Sequence, residues 1–475
     1  MSANLIPYPQ MRDSGLPWLG LVPEHWEVRR NGRLFAQRID TGHEELPILE
    51  VSLRTGVRVR DMDNGARKQQ MTDRSKYKRA AKGDIAYNMM RMWQGAVGVA
   101  PKDGLISPAY VVARPFPEVN PRYYSYLFRT ADYMREVNKF SRGIVADRNR
   151  LYWDEFKQMP SAFPPTGEQI AIANFLDAHG RRTAHLIRNK RRLIALLNEQ
   201  KQAIINKAVT RGLDPNAPMK PTGIDWMPEI PAHWEATLLK HVADVRFSGV
   251  DKHSHDHEIP VRLCNYTDVY KNDRIIGGMD LMLATATNGE ISRFTLKGGD
   301  VIVTKDSETP DDIAVPALVS EDLPGVVCAY HLGLLRPDPE HLFGEFLFRS
   351  IGSARITEQF HVLATGVTRY ALSKHDIKNA IIPLPPIDEQ VDVCKWITDS
   401  CVPLDEAIQR SEDEIRLIRE YRERLIADVV TGKLDVRDVA VNLREADDAL
   451  EDLDEESADD LLEDETEPEE VEESP

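Results

Sequence analysis

Two clusters in this 475-residue sequence have residue types suited to chemistry, and neither has the spacing. His253-Ser254-His255-Asp256-His257-Glu258 offers imidazoles and carboxylates, the groups that bind transition metals. All six fall in one polar stretch with no second cluster to complete a coordination shell, so no metal is expected there. Pro310-Asp311-Asp312 opens like a metal-dependent nuclease motif, but no acidic-x-Lys follows at a useful distance. The sequence has no GxxxxGK[ST] phosphate loop and no glycine-rich strand-turn-helix for a nucleotide-like cofactor. It also lacks an Asn-Pro-Pro-Tyr tetrad for amino methylation, and no nucleophile elbow places its Ser, His and Asp residues. The pattern favours recognition over catalysis.

The residues that do recur are of another kind. LPPIDEQ (Leu384 to Gln390) echoes FPPTGEQ (Phe163 to Gln169) at an offset of 221. The same offset carries Ile187, Ile194, Leu197 and Ile204 onto Ile408, Ile415, Ile418 and Leu425. Upstream, Trp18, Pro23, His25, Trp26 and Glu27 return as Trp226, Pro231, His233, Trp234 and Glu235 at an offset of 208. The chain is one unit written twice: W-x-x-x-x-P-x-H-W, a variable block, P-P-x-x-E-Q, a long helix. A duplication of this length fixes the architecture before any other feature.

Pro-Pro cannot sit in a helix interior or a sheet ladder, but its fixed φ suits the first turn of a helix. Thr166 with Gln169 fits a capping box, with Asp388 as the acceptor in the second copy. Glu168 and Glu389 place a carboxylate where the helix dipole favours one. The expectation is a short helix interrupted near Gly180 or Pro403, followed by helices of about 29 residues over 182–211 and 404–432, about 43 Å each. Their isoleucines and leucines, spaced by seven and by three or four, predict a two-helix seam. Residues 181–211 carry nine Lys/Arg and one Glu, whereas 404–433 carry eight Asp/Glu and six Lys/Arg. The two helices therefore attract each other, and a pseudo-twofold repeat sets them antiparallel.

The blocks between the motifs read as mixed α/β. LPILEV, GDIAYN and AYVVARP are strand-like runs in the first; EIPVRLCN, GDVIVT and YHLGLLRP are theirs in the second. Tyr126-Leu127-Phe128-Arg129 and Phe346-Leu347-Phe348-Arg349 mark a shared helix. The expected divisions are 1–165 and 223–386 for the two blocks, 166–222 and 387–440 for the helical regions, and 441–475 for an acidic, disordered tail.

Composition agrees with a globular chain, at 42% apolar and 29% charged residues. No run approaches the roughly 20 apolar residues of a membrane span. The chain opens without a signal-like apolar segment. Four cysteines without paired spacing point to a reducing cytoplasm. The net charge of −17 is concentrated at one end, since 445–475 hold 18 acidic residues and no Lys or Arg. Within the body, residues 1–165 carry 26 Lys/Arg against 18 Asp/Glu, whereas 226–386 carry 15 against 22. On charge alone the first block suits a polyanion and the second does not.

The order of motifs resembles the specificity subunit of type I restriction–modification enzymes, over about residues 15–440, with both punctuation motifs present twice in register. The resemblance implies that each variable block is a target recognition domain reading one half of a split double-stranded DNA sequence. The helices would act as a spacer and as the docking surface for two modification methyltransferase subunits. Restriction subunits, which translocate and cleave, would join the full complex. It implies no catalysis by this chain and no cofactor of its own; S-adenosylmethionine, ATP and Mg²⁺ would be used by the other subunits.

Reading bases calls for Arg, Lys, Asn, Gln and Thr in loops near a groove, with further cations on phosphates. In the first block the basic run Arg54 to Lys82 offers Arg54, Arg58, Arg60, Arg67, Lys68, Lys76, Lys78 and Arg79 for phosphates, and Asn88, Arg91 and Gln94 for bases. Lys305, Ser307 and Thr309 hold the equivalent place in the second block. The loops before P-P-x-x-E-Q add Arg142, Arg148, Thr365, Thr368 and Arg369. Two other readings of the sequence stand beside this one: a methyltransferase or nuclease with an unrecognised site, and a helical scaffold that binds no DNA.

Overall fold

The computed structural model describes residues 5–60, 74–143, 149–310 and 312–439. These divide into two compact units, one within Met1–Lys190 plus Glu412–Pro475 and the other within Arg191–Ser411. The division cuts both long helices, so each unit holds one variable block, the start of one helix and the end of the other.

The first unit is built on strands β1 (Phe35–Arg38), β2 (Ile85–Asn88), β3 (Val97–Val99) and β4 (Tyr110–Pro115). They form one antiparallel sheet in the order β1-β4-β2-β3. Alternate side chains of a strand point to opposite faces, and here both faces are covered. Val111 and Ala113 of β4 enter the main core with Ile85 and Tyr87, while Val112 and Ala86 enter a smaller core with Leu49, Val57 and Ile106. That two-sided burial explains why β4 reads as an apolar run without alternation. The helix Pro121–Phe128 starts with Pro121 in its first turn and the Asn120 side chain accepting the backbone N–H groups of Arg122 and Tyr123.

The second unit repeats this plan with β5 (Ala243–Phe247), β6 (Val301–Thr304), β7 (Pro316–Val319) and β8 (Leu332–Pro337). Their order, β5-β8-β6-β7, is again antiparallel, and Arg274–Ile275 extends the sheet parallel to β7. Val301 and Val303 point into one core and Ile302 into another, as do Leu335 and Leu334.

The two long helices are continuous. α1 spans Thr166–Arg211, 46 residues, and α2 spans Ile387–Val430, 44 residues; at 1.5 Å per residue α1 is about 69 Å long. The interruptions expected at Gly180 and Pro403 do not occur. A helical glycine costs about 1 kcal/mol and an interior proline about 3, and burial on either side outweighs both. Val393, Cys394, Ile397 and Cys401 precede or flank Pro403 in the core of the second unit, and Ile172, Phe175 and Leu176 precede Gly180 in that of the first.

The far ends of the helices are buried crosswise. Leu425, Val429 and Val430 of α2 lie in the core of the first unit, and Ile205, Ala208 and Val209 of α1 in the core of the second. In the first unit the helices run antiparallel, His179 facing Tyr421 at 5.9 Å between rings while Lys190 pairs with Glu414. In the second, Lys201 pairs with Asp405. The expected seam residues are the sheltered ones. Ile415 and Leu425 are buried, and Ile187, Ile194, Leu197, Ile204, Ile408 and Ile418 are half-buried, whereas Leu186, Leu193, Leu196 and Leu417 are exposed. All four cysteines are buried and free, and no described helix is long and apolar enough to cross a membrane.

Candidate functional site

The repeated motifs meet each other. In the first unit the Glu168 carboxylate, buried at the start of α1, accepts from the indole Nε1 of Trp26 at 2.9 Å and the hydroxyl of Tyr8 at 3.1 Å, and lies 2.6 Å from His25 Nε2. Arg437, beyond α2, stands 3.7 Å away. Burial, with the nearby Glu168 charge, pushes the Tyr8 hydroxyl far above its usual range. Gln169 does not form the expected capping box. Its amide donates to the Pro164 and Glu118 carbonyls and accepts from Asn120 N–H at 2.8 Å, while Thr166 donates to Glu118 O. A pair of prolines leaves the loop carbonyls with few N–H partners, and the glutamine amide supplies them.

The second unit keeps the glutamine and loosens the glutamate. Gln390 donates to the Pro385 and His341 carbonyls and accepts from Phe343 N–H at 2.8 Å. Glu389 contacts His233 at 2.8 Å, but Trp234 Nε1 is buried with no partner among the described residues. Each tryptophan also packs on a glycine that ends the opposite long helix. A Cβ on Gly432 (φ +76°) would lie 2.4 Å from Pro23 Cδ and 2.9 Å from Trp26. One on Gly212 (φ +69°) would lie 3.1 Å from Trp234 and 3.2 Å from Glu389. These motifs are scaffold.

The scaffold presents a loop pair in each unit. Strands β2 and β6 are anchored at their starts by Asp84 and Asp300. Asp84 accepts from Ala81 N–H and Arg38, and Asp300 from Lys297 N–H and Arg336. At the far ends of those strands, the loop before P-P-x-x-E-Q docks by one equivalent bond. Leu151 N–H donates to Met89 O at 2.9 Å, and Leu372 N–H to Lys305 O at 2.8 Å. The candidate segments around 88–94 and 149–151, and those around 305–309 and 365–371, thus come together in their own units.

Not every candidate side chain points outward. Asn88 is buried, its carbonyl accepting from Met90 N–H at 2.9 Å, whereas Gln94 is exposed on the turn that Gly95 closes at φ +92°. Arg91 is half-buried just ahead of that turn. Lys78 spends its ammonium on the carbonyls of Pro108 and Tyr110, at 2.8 and 2.7 Å, and burial lowers its pKa. Arg79 is paired with Asp40 and Asp103, Arg58 with Glu50 across a two-stranded ribbon, and Arg142 with Glu155. Arg54 and Lys76 are exposed and Arg60 is half-buried. Arg129 donates to the carbonyls of Leu53 and Arg54, so the tip of that ribbon is fixed from below. Arg67, Lys68 and Arg148 lie outside the described residues.

In the second unit Asp306–Ser307 pairs with Tyr370–Ala371, joining the two loops by a short ladder. Ser307 is buried in it, and Thr365 pairs through its backbone with Ala371. The Lys305 ammonium lies 4.3 Å from the ring centre of Tyr330 and 5.1 Å from that of Phe247, where burial lowers its pKa. Thr309 and Thr368 are exposed. Asp306 is buried and takes Arg369 Nη2 at 3.0 Å and His331 Nδ1 at 2.7 Å. Tyr266 and Tyr270 stack beside this group, rings 5.6 Å apart. Asp306, His331 and the tyrosines carry no signal in the sequence, because only the fold brings β8 and the 266–270 helix to this edge. His253 to His257 are exposed, and the described residues contain no group of three or more His, Cys, Asp and Glu that could hold a metal.

Residues 267–409 match the family model described as the type I restriction modification DNA specificity domain. Over 285 residues the chain is 24% identical to the type I restriction enzyme MjaVIII specificity subunit of Methanocaldococcus jannaschii, covering 60% of this chain and 64% of that one, a little under two thirds of the relative. It is 22% identical over 461 residues to the putative MjaX specificity subunit of the same organism, covering 88% of this chain and 96% of that one. Among solved structures, a chain from work on complex assembly and conformational transition of the type I R-M system superposes with a TM-score of 0.64. The two are 13% identical, and the superposition covers 87% of this chain and 99% of the other, which establishes a shared fold.

Proposed function

We infer that this chain, a relative of the specificity subunits of type I restriction–modification systems, is the DNA-reading subunit of such a complex. Each block reads one half of a bipartite duplex site from its loop pair, and α1 and α2 set the spacing and dock two modification subunits. Methyl transfer with S-adenosylmethionine belongs to those subunits, and ATP- and Mg²⁺-dependent cleavage to restriction subunits where they accompany it. The chain itself performs no catalysis.

The observation that carries this reading is the equivalent docking bond, Leu151 to Met89 and Leu372 to Lys305, on two matching sheets. The bond holds the same two loops together in both units, while the side chains around it differ almost completely. A constant frame with divergent loop residues is what two readers of different sequences require, because base edges are distinguished by donor and acceptor pattern rather than by backbone geometry. The motifs that recur are consumed in packing, which leaves the loops as the variable surface. Sequencing of methylated bases in a host carrying the modification subunit, with and without this chain, tests the reading. One two-part methylated motif should appear only when the chain is present; an unchanged pattern would overturn it.

A further inference from the structure

We propose that Arg369 is a specificity-determining side chain of the second block, held in reading position by Asp306, and that it selects a guanine. The proposal rests on the DNA-reading function above and adds the residue and the base. The other candidates around this loop pair are occupied or simply exposed. Lys305 is held over two aromatic rings, Ser307 is buried, Thr365 is tied through its backbone, and Thr309 and Thr368 are exposed.

Arg369 combines exposure with a fixed base. Its side chain is 56% exposed, yet Nη2 donates to Asp306 Oδ1, a carboxylate only 12% exposed. Asp306 is itself immobilised twice, by the backbone ladder to Ala371 and by His331 on its other oxygen. A guanidinium has five N–H donors in a rigid fork. The bond to Asp306 engages Nη2; in the proposal Nη1 and the second Nη2 hydrogen form the pair that spans guanine O6 and N7 in the major groove. Ordering a free arginine costs side-chain entropy; Asp306 removes much of that cost before DNA arrives. This bracing also suits a block with a net negative charge, in which affinity cannot come mainly from phosphate contacts. His331 shares the carboxylate, so it acts as a second positioning residue behind Asp306.

The test uses the assembled complex of full-length chain and modification subunit, with methylated-base sequencing of the same host genome for wild type, Arg369→Lys, Arg369→Gln and Asp306→Asn. The expected result is a change at a single position of the second half-site, where preference for guanine falls about 10- to 100-fold. The first half-site, the spacing and the amount of assembled complex should stay as in wild type. Asp306→Asn should affect the same position, by less than Arg369→Gln, a pattern that a merely structural role would not produce. A uniform fall in methylation across all sites, or an unaltered motif in Arg369→Gln, would overturn the proposal while leaving the two-block reading intact. A wild-type complex without any two-part motif would overturn both.

Discussion

The two units wear the same letters at their joints and fasten them differently. In the first, Glu168 gathers the Trp26 indole, the Tyr8 hydroxyl and His25 around one buried carboxylate, with Arg437 close by. In the second, among the described residues, Glu389 contacts His233 and the Trp234 indole has no partner. What both retain is the tryptophan against a left-handed glycine and the glutamine amide serving the proline loop. Packing and backbone satisfaction are therefore the invariant part of the joint, and the carboxylate is adjustable. The difference follows from the chain path. In the first unit, segments from both chain ends meet at Glu168, where Asp435 N–H donates to the Ile6 carbonyl, and side chains must hold them. In the second, Gly212 leads straight along the chain into residues 213–234, and covalent continuity does that work.

Removing the carboxylate should separate the units most strongly. Glu168→Ala leaves two buried donors unpaired, each at about 1–3 kcal/mol, and is expected to destabilise the first unit by about 4 kcal/mol. Glu389→Ala removes the partner of a half-exposed histidine, His233, and should cost less than about 1 kcal/mol. Calorimetric unfolding of the full chain checks this, and equal losses would erase the distinction.

Next comes the glycine contact. Gly432→Ala adds a Cβ 2.4 Å from a proline ring at positive φ, and strain plus overpacking should cost about 3 kcal/mol. Gly212→Ala meets softer neighbours at 3.1–3.2 Å and should cost about half as much. A reversed order in denaturant midpoints would mean that the joints are not built as described.

The loop pairs should differ in their response to salt. The first block carries 26 Lys/Arg against 18 Asp/Glu and the second only 15 against 22, over 1–165 and 226–386. Fluorescence anisotropy of the isolated chain with each half-site duplex should show binding to the first half-site, weakening steeply as salt rises. The second half-site should bind stably only once modification subunits are present. Tight binding of the second duplex by the chain alone at physiological salt would contradict that charge argument. The smallest effect is expected at the helices. Lys201→Ala should cost under about 1 kcal/mol, and that cost should vanish at high salt, as read from melting temperatures across a salt series.

Much of this was legible in the residues. The doubled motifs located both joints, the strand runs GDIAYN and GDVIVT became β2 and β6, and the spacing of Ile187 to Ile204 and Ile408 to Leu425 found the sheltered faces of α1 and α2. The misreadings have one cause: local signals were taken at face value where long-range contacts decide. Gly180 and Pro403 look like helix breakers and are overridden by burial on both sides. Thr166 and Gln169 look like a capping box, and both instead turn to Glu118. Asn88 looks like a reader and faces inward, because its strand is covered on both sides. Asp306 and His331 lie 25 positions apart and meet through strand order alone.

The most direct measurement is a block exchange. Residues 27–160 are replaced by the corresponding block of a relative, and methylated bases are sequenced in a host carrying the modification subunit. The account predicts a new first half-site, with the second half-site and the distance between them unchanged. Change in both halves at once, or loss of all methylation although the complex still assembles, would contradict it.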